Sequence, residues 1–242
     1  MTPAVWIAPE RHGLATVLGT VEIEQVNLGG IPRGAVLVMT ADGDSEHRAA
    51  PILNDLAVHG YESIAADMTP VQGTDDALIE VVAQLVHHIG KRGWQGDQIG
   101  VIGYGRGGRL ALLAASQLGL GAAVSISPSH LFTSDGQLSP EITQLAETVR
   151  TPWLGMYGAN DPAVPAAACV ELARTMGRSA PAYTRVVRYP GVGGHFYRES
   201  SESLAIAASF DCWQRTVEWL NQRVAPRLTP DAEAWRHRHP AS

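Results

Sequence analysis

The chain has 242 residues, 45% of them hydrophobic and 17% charged, with a formal net charge of −6. That balance belongs to a folded globular protein rather than a disordered one, and α/β folds of about 250 residues commonly form a single domain. An acidic chain with no basic stripe is not built to bind nucleic acid, and no apolar run approaches the ~20 residues of a membrane span.

Residues 1–13 carry no basic segment followed by an apolar one, so no secretory leader is expected and a cytoplasmic location is. Short β-branched and aliphatic runs then alternate with amphipathic segments, the pattern of βα units around a mostly parallel sheet. Strands are predicted over 35–39, 63–66, 99–104, 122–126, 153–157 and 184–189. Most are nearly continuous apolar runs, as expected where helices cover both faces of the sheet. A helix is predicted over 74–89, with Leu78, Val82, Leu85 and Ile89 on one face, Thr74 as its cap, Asp75 and Asp76 in its first turn and Gly90 as its stop. His87 and His88 are neighbours on that helix and point in different directions, so they read as surface or packing residues and not as a metal pair.

Helices are also predicted over 109–118, 163–176 and 203–224. Cys169 and Cys212 fall inside the last two, with no partner at metal-ligand or disulfide spacing, and read as buried inert thiols. The stretch 128–151 is polar and turn-rich with a short helix over 140–149; it reads equally as a cap over a site or as a surface loop. From Pro226 onward, through Arg236, His237, Arg238 and His239, periodicity ends in a solvated tail. The expected organisation is one domain over 1–225 and a tail over 226–242.

The segment from Ile99 to Leu113 reads as a strand, a glycine-dense turn and a helix, and it has two readings. Gly103, Gly105 and Gly108 satisfy the dinucleotide fingerprint G-x-G-x-x-G, but the acidic residue required at the end of the next strand is replaced by Ser125-Ile126-Ser127-Pro128. The alternative is a nucleophile elbow, G-x-[Ser/Cys]-x-G, matched by Gly103-Tyr104-Gly105-Arg106-Gly107 with glycine where the nucleophile belongs. Two later placements favour the elbow. Asp161 follows the strand 153–157 and His195 follows the strand 184–189, which reproduces the order nucleophile, acid, histidine of an α/β hydrolase.

With these residues in place the sequence resembles the dienelactone hydrolase family, whose elbow reads G-x-C-x-G-G. Gly194-His195-Phe196-Tyr197-Arg198 and the following Ala208, Phe210, Trp213, Arg215 and Thr216 are similar to that family's segment from histidine to last helix. Leu56, Ala57, Gly60, Tyr61, Ala65, Asp67 and Met68 resemble its second βα unit. The resemblance implies an α/β-hydrolase fold, with a mostly parallel central sheet and helices on both faces. It implies His195 as catalytic histidine, Asp161 as its acid and Gly105 at the vacant nucleophile position. Oxyanion-hole donors would be the backbone N–H of Arg106 and, counting back from Gly60, that of Asp42. The same count puts Ala41 where the family has a glutamate, and a slip of one residue would make Asp42 the acidic residue. Arg198 matches an arginine that binds substrate carboxylate, while the region 69–75 is shorter than the family's and supplies no second arginine.

Glycine cannot form an acyl-enzyme, so a covalent double displacement is excluded at position 105. His195 and Asp161 can still perform general acid–base chemistry, and the oxyanion donors can still stabilise developing charge. Displaced nucleophiles would be Tyr104, Ser127 or Ser129, although both serines suit strand-end turns and Tyr104 and Tyr197 suit pocket walls. His12, His47 and His59 have no partner pattern; His130, beyond a strand end, can line the pocket. Two functions stay open. One is a cofactor-free enzyme acting on a small carbonyl compound (an ester, lactone or polyketide-like intermediate) by water attack or by isomerisation, cyclisation or elimination. The other is a catalytically dead hydrolase fold serving as a small-molecule binding or interaction module. Either way the partner is a small molecule, and neither metal nor cofactor is implied.

Overall fold

The computed structural model describes residues 6–40, 45–198, 200–228, 234–235 and 238–239. Eight strands form one sheet: β1 (Glu10–Thr16), β2 (Gly19–Val26), β3 (Gly34–Thr40), β4 (Tyr61–Asp67), β5 (Ile99–Tyr104), β6 (Ala122–Ile126), β7 (Trp153–Gly158) and β8 (Thr184–Tyr189). Their order is β1-β2-β4-β3-β5-β6-β7-β8. From β4 to β8 all pairs are parallel, while β1 and β2 form a hairpin whose second strand runs antiparallel to β4. Every residue of β3 is buried, as a strand covered on both faces requires. In β2, by contrast, Val21 and Ile23 point inward between the outward Glu22 and Glu24. That period of two is the signal for this extra hairpin, which the βα rhythm alone does not anticipate.

Among the described residues the six helices α1 to α6 make two layers. The helices α1 (Ser45–Val58) and α6 (Ser203–Arg223) cover one face, packing Leu53, Leu56, Cys212 and Leu220 on Val36, Val38, Ile102 and Val124. The helices α2 (Asp75–Gly90), α3 (Arg106–Gln117), α4 (Pro140–Ala146) and α5 (Ala166–Ser179) cover the other face. Helix α1 carries Pro51 in its interior, a residue that removes a backbone donor and argues against helix in a sequence reading, yet its buried Ala49, Leu53 and Leu56 hold it against the sheet. The stretch 128–151 lies against the fold: Leu131, Ile142, Ala146 and Val149 enter the core, and Arg109 ties it to α2 by bonding the His130 carbonyl (2.5 Å) and the Asp75 carboxylate (2.6 Å). Past α6 the chain docks before it leaves the described residues. Ala225 N–H donates to the Asp97 carbonyl, and the Arg227 guanidinium lies 3.7 Å from the centre of the Trp94 ring, so residues 225–227 are anchored where a solvated tail is expected from Pro226.

Candidate active site

The carboxyl end of β5 turns into α3 through Gly105, whose φ of 52° and ψ of −117° are open to glycine and strained for any other residue. The flanking glycines have a different reason. A Cβ on Gly103 would collide with the Gly107 carbonyl, and one on Gly107 with the Met39 carbonyl of β3, so the helix can start this close to the sheet only without side chains there. The turn is pinned from β6: Gly105 N–H donates to the Ile126 carbonyl at 3.0 Å, and Ser129 N–H donates to the Gly105 carbonyl at 3.1 Å. Arg106 is the first residue of α3, so its N–H has no partner within the helix and lies at the positive end of the helix dipole.

Asp161 follows β7 and His195 follows β8, and the fold brings their segments together: a Cβ on Gly194 would collide with the Asp161 carboxylate. The expected hydrogen bond between the two side chains is not formed. Asp161 Oδ1 instead accepts from Ala163 N–H at 2.9 Å, closing an Asx turn, and among the described residues Asp161 and His195 share neither a hydrogen bond nor an ion pair. The imidazole of His195 is exposed, and its Nδ1 stands 3.5 Å from the Tyr197 hydroxyl, at the outer limit of a hydrogen bond. Tyr197 in turn packs its ring on Tyr104, 5.1 Å away and tilted by 48°. Thus Tyr104, Tyr197 and His195 form one aromatic wall beside the elbow.

Arg198 is half-buried, with its N–H bonded to the His195 carbonyl at 2.9 Å. The side chain of Arg106 folds away from the elbow and donates to the carbonyls of Met68 and Val71, just past β4. It borders a polar cleft of about 390 Å³ between α2, α3 and the 128–151 stretch, lined also by Asp75, Arg109, His130, Ser139 and Glu141. Asp42 and Ala41 lie outside the described residues, as does the side chain of His47.

The remaining histidines do not gather. The rings of His12 and His88 lie 5.7 Å apart and tilted by 50° across β1 and α2, where burial and then the neighbouring His12, Lys91 and His87 hold the His88 imidazole below its usual pKa. Among the described residues no three His, Cys, Asp or Glu side chains could share a metal ion. Both cysteines are free and buried on opposite sides of the sheet, and burial pushes both thiols up. Ser129 Oγ is 2.9 Å from His130 Nδ1. Two features escape the sequence reading. Ser127 and His130 have positive φ, of 45° and 58°, and buried polar atoms at the ends of β6 to β8 lack partners. Serine and histidine at strand ends give no sequence signal of such a conformation.

The sequence profile of the dienelactone hydrolase family matches residues 32–224. No curated protein matches the chain by sequence. Among solved structures, the chain is similar to a protein of Klebsiella pneumoniae subsp. pneumoniae assigned to the dienelactone hydrolases, with a TM-score of 0.72 and 22% identity over 88% of this chain and 98% of that one. It is similar to an esterase of Pyrococcus furiosus, with a TM-score of 0.67 and 16% identity over 90% of this chain and 93% of that one. A dienelactone hydrolase-like promiscuous phosphotriesterase from metagenomic libraries gives 0.63 and 20%, over 90% and 99%. At these identities the structures speak for the fold alone, an α/β-hydrolase sheet. The profile, covering residues 32–224, identifies the chain as a member of the dienelactone hydrolase family.

Proposed function

We propose that this protein acts on a small carbonyl compound by general acid–base chemistry at His195, without an acyl-enzyme. One observation carries the reading: Gly105 turns β5 into α3 at φ 52° and ψ −117°, which leaves the Arg106 N–H, the first of α3, without a partner inside the helix. A fixed donor at that point can stabilise an oxyanion or enolate, worth about 10²- to 10³-fold per donor. The Tyr197 hydroxyl beside Nδ1 supports the second half of the reading. In the tautomer whose Nδ1–H donates to the Tyr197 oxygen, Nε2 is the free base, open to a water or to a substrate proton, a role typically worth 10²- to 10⁴-fold. The family and the esterases of the same fold favour an ester or lactone, while glycine at position 105 leaves isomerisation, cyclisation and elimination equally open to the same donor and base.

A specific observation favours the second reading, a binding module: His195 is exposed and not bonded to Asp161. His195→Ala decides between them. Loss of a measured turnover with the fold retained supports the enzyme, and turnover equal to the parent's sinks it. Gly105→Ser adds a direct probe of the donor. A burst of acyl-enzyme from that variant is expected if the elbow and His195 are competent and only the attacker is missing.

A further inference from the structure

Ser127, Tyr157 and Arg188 stand in one row across the sheet. Ile126 pairs with Met156, and Ser127 N–H donates to the Met156 carbonyl at 2.8 Å; one step on, Ser127 is beside Tyr157, which pairs with Arg188. By strand alternation Tyr157 and Arg188 share the face that carries Trp153 and Val186, beneath α5 and the 128–151 stretch, and Phe132 caps Tyr157 edge-on at 6.3 Å. Ser127 Oγ, Tyr157 Oη and Arg188 Nε are all buried, and none of them has a hydrogen-bond partner among the described protein atoms. Tyr157 is 0% exposed. Arg188 donates from Nη2 to the Ala159 carbonyl at 3.2 Å, and no carboxylate among the described residues pairs with it. Ser127 is also held at φ 45°, where a non-glycine residue carries about 1–3 kcal/mol of strain.

A buried tyrosine hydroxyl normally finds a partner, and each unmade buried bond costs about 1–3 kcal/mol. Adjacent orphans on three neighbouring strands therefore point to one shared acceptor. Burial pushes the Tyr157 phenol well above its usual pKa and raises the Cys169 thiol on α5, so both stay protonated at neutral pH. Every group in the row donates, and one carries a full positive charge. Arg188 is half-buried and carries one positive charge, which a singly charged acceptor balances, whereas a dianion would leave a buried net negative charge that is expensive to desolvate. A carboxylate supplies one charge and two oxygens that accept several bonds, and it is the anion that guanidinium geometry suits.

We propose that the row Ser127–Tyr157–Arg188 is a binding site for a small monocarboxylate, independent of the chemistry assigned to His195. The test is thermal unfolding of the full chain at neutral pH in sodium acetate against sodium chloride of equal ionic strength. Acetate is expected to raise Tm saturably. Tyr157→Phe and Ser127→Gly should each weaken half-saturation by about ten-fold, the loss of one bond to a charged group, and Arg188→Met should abolish the effect. Ser127→Gly also relieves the backbone, so its loss of response cannot be put down to a damaged fold. The proposal is overturned if acetate shifts the parent's Tm no more than chloride does, or if the shift survives unchanged in both hydroxyl variants. A crystal structure grown in acetate with only water at the row would overturn it equally.

Discussion

Gly105 holds the turn from β5 into α3 at φ 52° and ψ −117°, a conformation that an L residue adopts only under strain. Gly105→Ala should therefore lower stability by about 1–3 kcal/mol in denaturant unfolding, with an unchanged m-value. The glycine pattern was legible in the sequence because each position answers to a collision: Gly103 with Gly107, and Gly107 with Met39. The absence of a bond between Asp161 and His195 was not legible, since chain order fixes only which strand ends carry them. The side-chain bonds depend on local competition, and Ala163 N–H takes the Asp161 carboxylate. Asp161→Asn keeps an acceptor for Ala163, so it should reduce turnover by less than about ten-fold, against the roughly 10⁴-fold loss where an aspartate orients a triad histidine. A loss of that larger size would show that Asp161 reaches His195 during turnover.

At the scale of elements, the sheet is locked at the opposite end from the site. Glu62, at the start of β4 and 5% exposed, accepts from Arg92 Nη2 at 2.8 Å, Trp94 Nε1 at 2.9 Å, Arg92 Nε at 3.0 Å and Leu28 N–H at 3.2 Å. Burial by itself would raise its pKa, but the bonds from Arg92, Trp94 and Leu28 together outweigh it and hold the carboxyl below the ordinary 4.5. A depressed folded pKa means that the stabilisation is complete above the unfolded value and is lost as pH falls through the folded one. Unfolding measured from pH 6 downward should therefore steepen below 4.5. Glu62→Gln should flatten that limb and, with Arg92 partly exposed, lower stability at neutral pH by about 3 kcal/mol. A limb of the same slope in the variant would assign the acid sensitivity elsewhere. The strands β3 to β7 were legible because burial on both faces makes them nearly continuous apolar runs, and the edge strand β8 by its β-branched Thr184, Val186 and Val187. The β1–β2 hairpin and α1 were not. The hairpin is half-polar and reads only by its alternation, and Pro51 masks a helix that tertiary packing maintains.

Across the whole molecule, two cores on opposite faces of the sheet enclose the only two cysteines, Cys169 under α5 and Cys212 in α6. Their exposures of 1% and 2%, with thiol pKa values raised by burial, predict that neither reacts with an aromatic disulfide reagent while the fold is intact. Labelling should keep pace with global unfolding, and rapid labelling of the native protein would contradict the packing. No helix among the described residues is long and apolar enough to cross a membrane. The proposed chemistry, without an acyl-enzyme, puts the burden of function on His195. The most direct test is to follow p-nitrophenyl acetate turnover while recording the intact mass of the protein. The expected result is a linear progress curve from the first turnover, above that of His195→Ala, with no acetylated protein at any time. A burst accompanied by an acetyl adduct on Ser127, Ser129, Tyr104 or another side chain would contradict it.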